Sequence, residues 1–311
     1  MNKKRSARIR FFSWLAAAVV LTLILIMGIL DFPFHDASIS CGGFGMGYTY
    51  PNADKYEKGN FTLEEEISRL EINWISGSVS VKVTDGDKVY AEETNVSDDD
   101  RKMRYLMEDG KLTIQFQKSK WFSFRDSFSK GKDLTVYIPE KMAENMKMID
   151  IETTSADLEI SGFYSRTVDI ETVSGKVNIK DVSAEAMDIE SVSGTIKGTG
   201  VKADELKAEA VSGSVDMDGI FQIVDLEAVS GDLNISSDTF IKEVDAETVS
   251  GSISLSIPEG DGFTAEMDSV SGDFNTDFET KSKDGKKIYG DGSAEYSFET
   301  VSGDVYINRT E

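Results

Sequence analysis

The sequence predicts an all-β protein: a parallel β-helix or β-solenoid with coils of about 19 residues, preceded by a single N-terminal transmembrane helix. Three observations predict it. A triplet recurs as Val173-Ser174-Gly175, Val192-Ser193-Gly194, Val211-Ser212-Gly213, Val229-Ser230-Gly231, Val249-Ser250-Gly251 and Val270-Ser271-Gly272. A degenerate copy, Thr154-Ser155-Ala156, precedes these, and Val301-Ser302-Gly303 follows them. The serines step by 19, 19, 19, 18, 20 and 21 residues from Ser155 to Ser271. Around each triplet, apolar and polar residues alternate. Finally, residues 11–30 carry no charge.

The alternation defines the coil. In residues 167–179, Val168 and Ile170 alternate with Asp169 and Glu171, and Val177 and Ile179 with Lys176 and Asn178. Each run is a half-buried strand. The two runs are out of phase by one residue, and the phase changes at the triplet. A bend or bulge there returns both apolar faces to one interior. Glycine takes positive φ without a Cβ clash, so Gly175, Gly194, Gly213, Gly231, Gly251, Gly272 and Gly303 read as structural corners. The small residues Thr172, Ser191, Ala210, Ala228 and Thr248 precede the valine and suit a tight interior. One coil alone buries too little apolar surface to offset its ordering entropy, so coils must stack. Antiparallel hairpins of the same strands are the alternative. The near-constant period and shared phase favour parallel stacking.

From the N-terminus, residues 1–10 carry Lys3, Lys4, Arg5, Arg8 and Arg10 and no acid. The uncharged run that follows is long enough to span a bilayer as a helix. The basic flank places the N-terminus in the cytoplasm and the rest outside. A cleaved signal peptide is the competing reading, but its apolar region is shorter, about 7–15 residues. Cys41 is the only cysteine, so no internal disulfide forms. Residues 31–60, with their glycine cluster at 42–47, read as a flexible tether. Residues 61–139 read as an N-terminal cap: a first coil containing Ile75-Ser76-Gly77, plus hairpins turning at Asp85-Gly86 and Asp109-Gly110. Residues 140–311 are the repeat solenoid. Within them, the polar stretch 281–290 reads as a surface loop.

Net charge is −23, and residues 31–311 hold 28 basic against 56 acidic residues. Nucleic acid is therefore not an expected partner. The lone histidine, His35, leaves the repeated serines without a general base, and no Cys/His cluster offers a metal site, so no catalytic residue and no metal site are assigned.

The pattern Ile72-Asn73-Trp74-Ile75-Ser76-Gly77, then residues 134–139, then serial Val-Ser-Gly copies resembles a bacterial adhesin-like family. This is domain of unknown function 4097, a β-strand-repeat or toast-rack domain, and the resemblance covers roughly residues 65–307. It implies a cell-envelope location and transfers no catalytic residue.

Two features are candidate binding sites. The first is an acidic column three residues before each repeat serine: Glu152, Glu171, Glu190, Glu209, Glu227, Glu247, Asp268 and Glu299. A partial second column holds Asp150, Asp169, Asp188, Asp225, Asp245 and Glu266. A merely solvated face is the plainer reading. Stacked about 4.8 Å apart, however, such acids should draw cations, including weakly bound calcium. The second is a basic, aromatic stretch with Lys120, Trp121, Phe122, Phe124 and Arg125, read as a core plug or as a patch for anionic glycan, wall polymer or lipid headgroups. The expected function is a membrane-anchored, extracytoplasmic binding or adhesion-like module without catalysis. Its partners would be wall polymer, a cationic ligand or another membrane protein. An accessory sensor subunit of an envelope-stress system is the alternative.

Overall fold

The computed structural model describes residues 32–33, 38–42, 45–96, 98–119 and 131–310. These form an all-β protein. The expected membrane segment, residues 11–30, and the basic, aromatic residues 120–125 lie outside the described residues. Among the described residues, no helix is long and apolar enough to cross a membrane. The chain divides into two compact units, one within Leu21–Val182 and one within Ser183–Glu311.

The first unit is built on the Arg69–Thr84 strand, which carries Leu70, Ile72, Trp74, Val79 and Val81 into the core. Met146–Ser161 pairs with it in parallel, with Ser155 opposite Ser76 and Ala156 opposite Gly77. Its other edge holds two short parallel strands end to end, Lys111–Gln115 and Lys132–Pro139. Beyond them the pairing turns antiparallel, through Val89–Thr94 and Phe61–Leu63 on one side and Arg104–Glu108 and Glu57–Lys58 on the other. These antiparallel strands end the parallel repeat in this unit. Tyr164–Ser174 and Val177–Lys180 make a further coil on Met146–Ser161.

The stretch 31–60 differs from the expected tether. Phe32–Pro33, Ser38–Gly42 and Gly45–Thr49 form a small antiparallel sheet. Tyr48 and Tyr50 are buried edge to face, with the Tyr50 hydroxyl donating to the Gln117 carbonyl at 3.0 Å and the Tyr48 hydroxyl to Gln115. Large aromatic side chains carry more burial energy than neighbouring glycines can oppose through flexibility.

In the second unit, parallel pairing runs from Ser183–Ser193 to Ile196–Ser212, Val215–Ser230 and Glu243–Ser250. Chain order then breaks. Glu243–Ser250 pairs next with Ala294–Ser302, and that strand pairs with Gly262–Ser271. The shorter strands do the same: Ile253–Ile257, then Val305–Arg309, then Phe274–Thr276. The last coil in sequence is thus inserted between its two predecessors. The supposed loop 281–290 is a hairpin, Lys281–Lys283 with Lys286–Gly290, whose second strand lies antiparallel on Gly262–Ala265. This excursion of chain lets the last coil return to the inner position.

The phase change holds throughout. Val168, Ile170 and Thr172 are buried on one parity, and Val177 and Ile179 on the other. Thr172, Ser191, Ala210, Ala228 and Thr248 are all buried at the corner. Glycine is required there by close approach as well as conformation. At Gly213 φ is +138°, and a Cβ would lie 1.9 Å from the Gly194 carbonyl oxygen of the adjacent coil. Backbones stacked this closely leave no room for a side chain.

Candidate functional site

The acidic column is a strict register ladder within each unit. In the first unit Glu152 faces Glu171 and Asp150 faces Asp169. In the second, the order is Glu190, Glu209, Glu227, Glu247, Glu299, Asp268. The inserted coil therefore exchanges the last two members relative to chain order. The second column reads Asp188, Lys207, Asp225, Asp245, Ser297, Glu266 in that unit. Lys207 fills the step where the acid is missing, and its Nζ pairs with Glu209 at 2.5 Å.

These acids are not uniformly solvated. Glu152 is buried, while Glu190, Glu209, Glu247, Asp268 and Glu299 are half-buried. Like charges about 4.8 Å apart repel by about 0.9 kcal/mol even at the dielectric constant of water. Partial burial strengthens this. Desolvation, then the carboxylates of Glu299, Asp245, Glu227 and Asp225, push Glu247 up to about 7. Desolvation with Glu71, Asp169 and Glu171 pushes Asp150 up to about 7, against the opposing pull of Lys111. Asp225, Glu227 and Asp245 also lie above the ordinary carboxylate range, mainly through burial. The ladder is a strip of strained negative charge that gains from any cation or proton. Among the described residues, no three His, Cys, Asp or Glu side chains converge to hold a metal ion. The carboxylates are strung along a line, which suits a linear cation better than a chelated one.

The glycines read as corners differ in conformation. Gly175, Gly213, Gly231 and Gly251 have φ between +138° and +151°. Gly194 and Gly272 are not in this conformation. The Gly272 position is instead restricted by the Gly303 carbonyl oxygen, 1.9 Å from where a Cβ would sit.

Sequence reasoning missed Lys132. It lies in the basic stretch, yet its side chain is fully buried. Nζ donates to Glu93 Oε2 at 2.8 Å, to the Arg101 carbonyl at 2.6 Å and to the Phe116 carbonyl. It also sits 4.6 Å from the Trp74 ring centroid and 4.3 Å from that of Phe116. Burial pulls its pKa down to about 8, and Glu93 opposes this only in part. The Trp74 indole donates to the Lys132 carbonyl at 3.1 Å. An enclosed ion pair beneath two rings holds the cap together and is closed to ligands. The one signal available in sequence was its place at the start of an alternating run, Lys132–Pro139; its position opposite Gly77 is visible only once the strands are paired.

A stack of in-register parallel strands, turned at Ser-Gly and lined by acids, defines a repeat β protein. The chain belongs to the Toastrack family, DUF4097, whose sequence profile matches residues 67–308. No curated protein matches it. Among solved structures, a putative adhesin from Bacteroides fragilis NCTC 9343 is 16% identical with a TM-score of 0.45, covering 81% of this chain and 97% of that one. A putative lipid binding protein from Parabacteroides distasonis ATCC 8503 is 15% identical with a TM-score of 0.43, over 81% and 97% of the two chains.

Proposed function

We propose that this chain is a membrane-anchored, extracytoplasmic binding or adhesion-like module of the cell envelope that performs no catalysis. The ligand surface is the acidic ladder, and its ligands are linear cations: basic protein segments or wall polymers bearing amines. The observation that carries this reading is the unbroken register from Glu190 to Asp268, which holds six acids at one strand spacing, all but the exposed Glu227 half-buried. Residues 11–30 supply the anchor, and the basic residues before them keep the N-terminus in the cytoplasm.

Crosslinking in intact membranes tests the reading, comparing the wild type with the Glu209→Gln, Glu227→Gln, Glu247→Gln triple variant. Wild type should capture wall polymer or a basic partner segment, and the triple variant should lose it. Equal capture by both contradicts the ladder as the ligand face. Capture of a membrane kinase or transporter by both assigns the chain to an envelope-stress sensor instead.

A further inference from the structure

The second unit ends in an unfinished coil. At each triplet the glycine N–H of one coil donates to the serine carbonyl of the next: Gly213 to Ser230 at 3.1 Å, Gly231 to Ser250 at 3.0 Å, Gly251 to Ser302 at 3.2 Å and Gly303 to Ser271 at 3.1 Å. A second series runs from Val215 to Asp232, Leu233 to Ser252, Ile253 to Asp304 and Val305 to Asp273. The next donors in these two series are Gly272 and Phe274, and among the described residues no coil follows to receive them. The core is open at the same place. Met267 and Phe274 are half-buried, whereas their register partners Phe298 and Val305 are fully buried. Val270 is 58% exposed.

The hairpin covers only part of this edge, pairing with Gly262–Ala265. Past that pairing, a cleft of about 250 Å³ opens between the edge and the hairpin, lined on the edge by Ala265, Met267, Val270 and Phe274 with the polar Ser269 and Asp273 among them, and on the hairpin by Gly285 and Lys287. The hairpin is basic inside an acidic protein: Lys281, Lys283, Lys286 and Lys287 against Asp284. Lys286 is engaged with Glu266 at 2.8 Å, while Lys281 and Lys283 are exposed.

An open edge with free donors is a template for another strand. The half-buried Met267 and Phe274 and the exposed Val270 offer an apolar contact, and the lysines of the hairpin offer a basic one. A second copy of this chain would bring a net charge of −23 against −23, which opposes close approach. We infer that the Ser269–Thr276 edge docks an extended acidic segment of a partner protein by strand addition, its apolar side chain in the Met267–Phe274 cleft and its carboxylates on the lysines of the hairpin. The ladder ends on this same strand at Asp268, and the hairpin lysines beside it offer the opposite sign.

The test uses full-length protein in detergent and, as a probe of the chemistry, a labelled synthetic peptide of residues 243–250, an acidic strand that already pairs in parallel within this stack. Fluorescence anisotropy should show binding that a scrambled peptide of the same composition lacks. Val270→Asp, at an exposed site, and the Lys281→Glu, Lys283→Glu pair should each weaken it about 10-fold or more while leaving the melting temperature unchanged. Equal binding of the peptide by wild type and both variants, or equal binding of the scrambled peptide, overturns the proposal. So does concentration-dependent self-association in sedimentation that Val270→Asp abolishes, since the occupant is then a second copy.

Discussion

Gly213 and Lys132 show how far single residues set this fold. Val in place of Gly213 must leave φ +138° and drive a side chain into the Gly194 carbonyl. It should destabilise by roughly 3 kcal/mol or more, since strain and a backbone clash combine. Gly86 is the matched control: its Cβ would meet nothing nearer than Thr84 Oγ1 at 3.6 Å, so Gly86→Ala should stay within about 0.5 kcal/mol. Denaturant melts of both variants check this. Gly290, which reads from sequence as a tolerant loop position, is unsuitable as the control. Its φ is +58°, and a Cβ would come within 2.0 Å of the Asp261 carbonyl oxygen. Lys132→Met leaves Glu93 buried without its cation and should cost about 3–5 kcal/mol. Adding Glu93→Gln should recover part of that loss, as thermal melts of the single and double variants would show. The corner glycines were legible because a repeated residue marks a repeated constraint. Lys132 was not, because a lysine among lysines reads as surface until the strands that enclose it are placed.

At the scale of the element, the alternating runs and their phase change were readable from two-residue periodicity alone; the burial of Glu152 on the column expected to face solvent was not. The stacking order was not readable. Similar repeats can pair in several orders, and the inserted arrangement is accompanied by the antiparallel contact of the 281–290 hairpin with Gly262–Ala265, which the periodicity does not announce. Removal of residues 294–311 therefore deletes an inner coil. It should unfold the Gly262–Ser271 strand along with it, and limited proteolysis should cut within 262–290 in the truncated chain but not in the intact one. The acid ladder gives a second prediction. Glu247 and Asp150 have folded pKa values raised to about 7, above those of an unfolded chain. Between roughly pH 4 and pH 7 the folded state thus binds protons that the unfolded state does not, so stability falls as pH rises through 7. The melting temperature should rise on going from about pH 8 to about pH 5.5. Gln at Glu227 and Glu247 should flatten that profile, and scanning calorimetry across the range measures it.

For the molecule as a whole, the fold follows from a chain that repeats one unit until stacking outweighs the entropy of ordering it. The surplus acid keeps it soluble and, aligned by register, becomes a line of charge. The central claim is that this line is a ligand face and not a solvated surface. The most direct measurement is calorimetric titration of full-length protein with oligolysine at low ionic strength, against the Glu209→Gln, Glu227→Gln, Glu247→Gln variant. The account predicts binding by the wild type that weakens about 10-fold or more in the variant and is largely lost near 0.5 M salt, where screening shortens to a few ångströms. Oligolysine that binds both proteins equally, or neither, would contradict it.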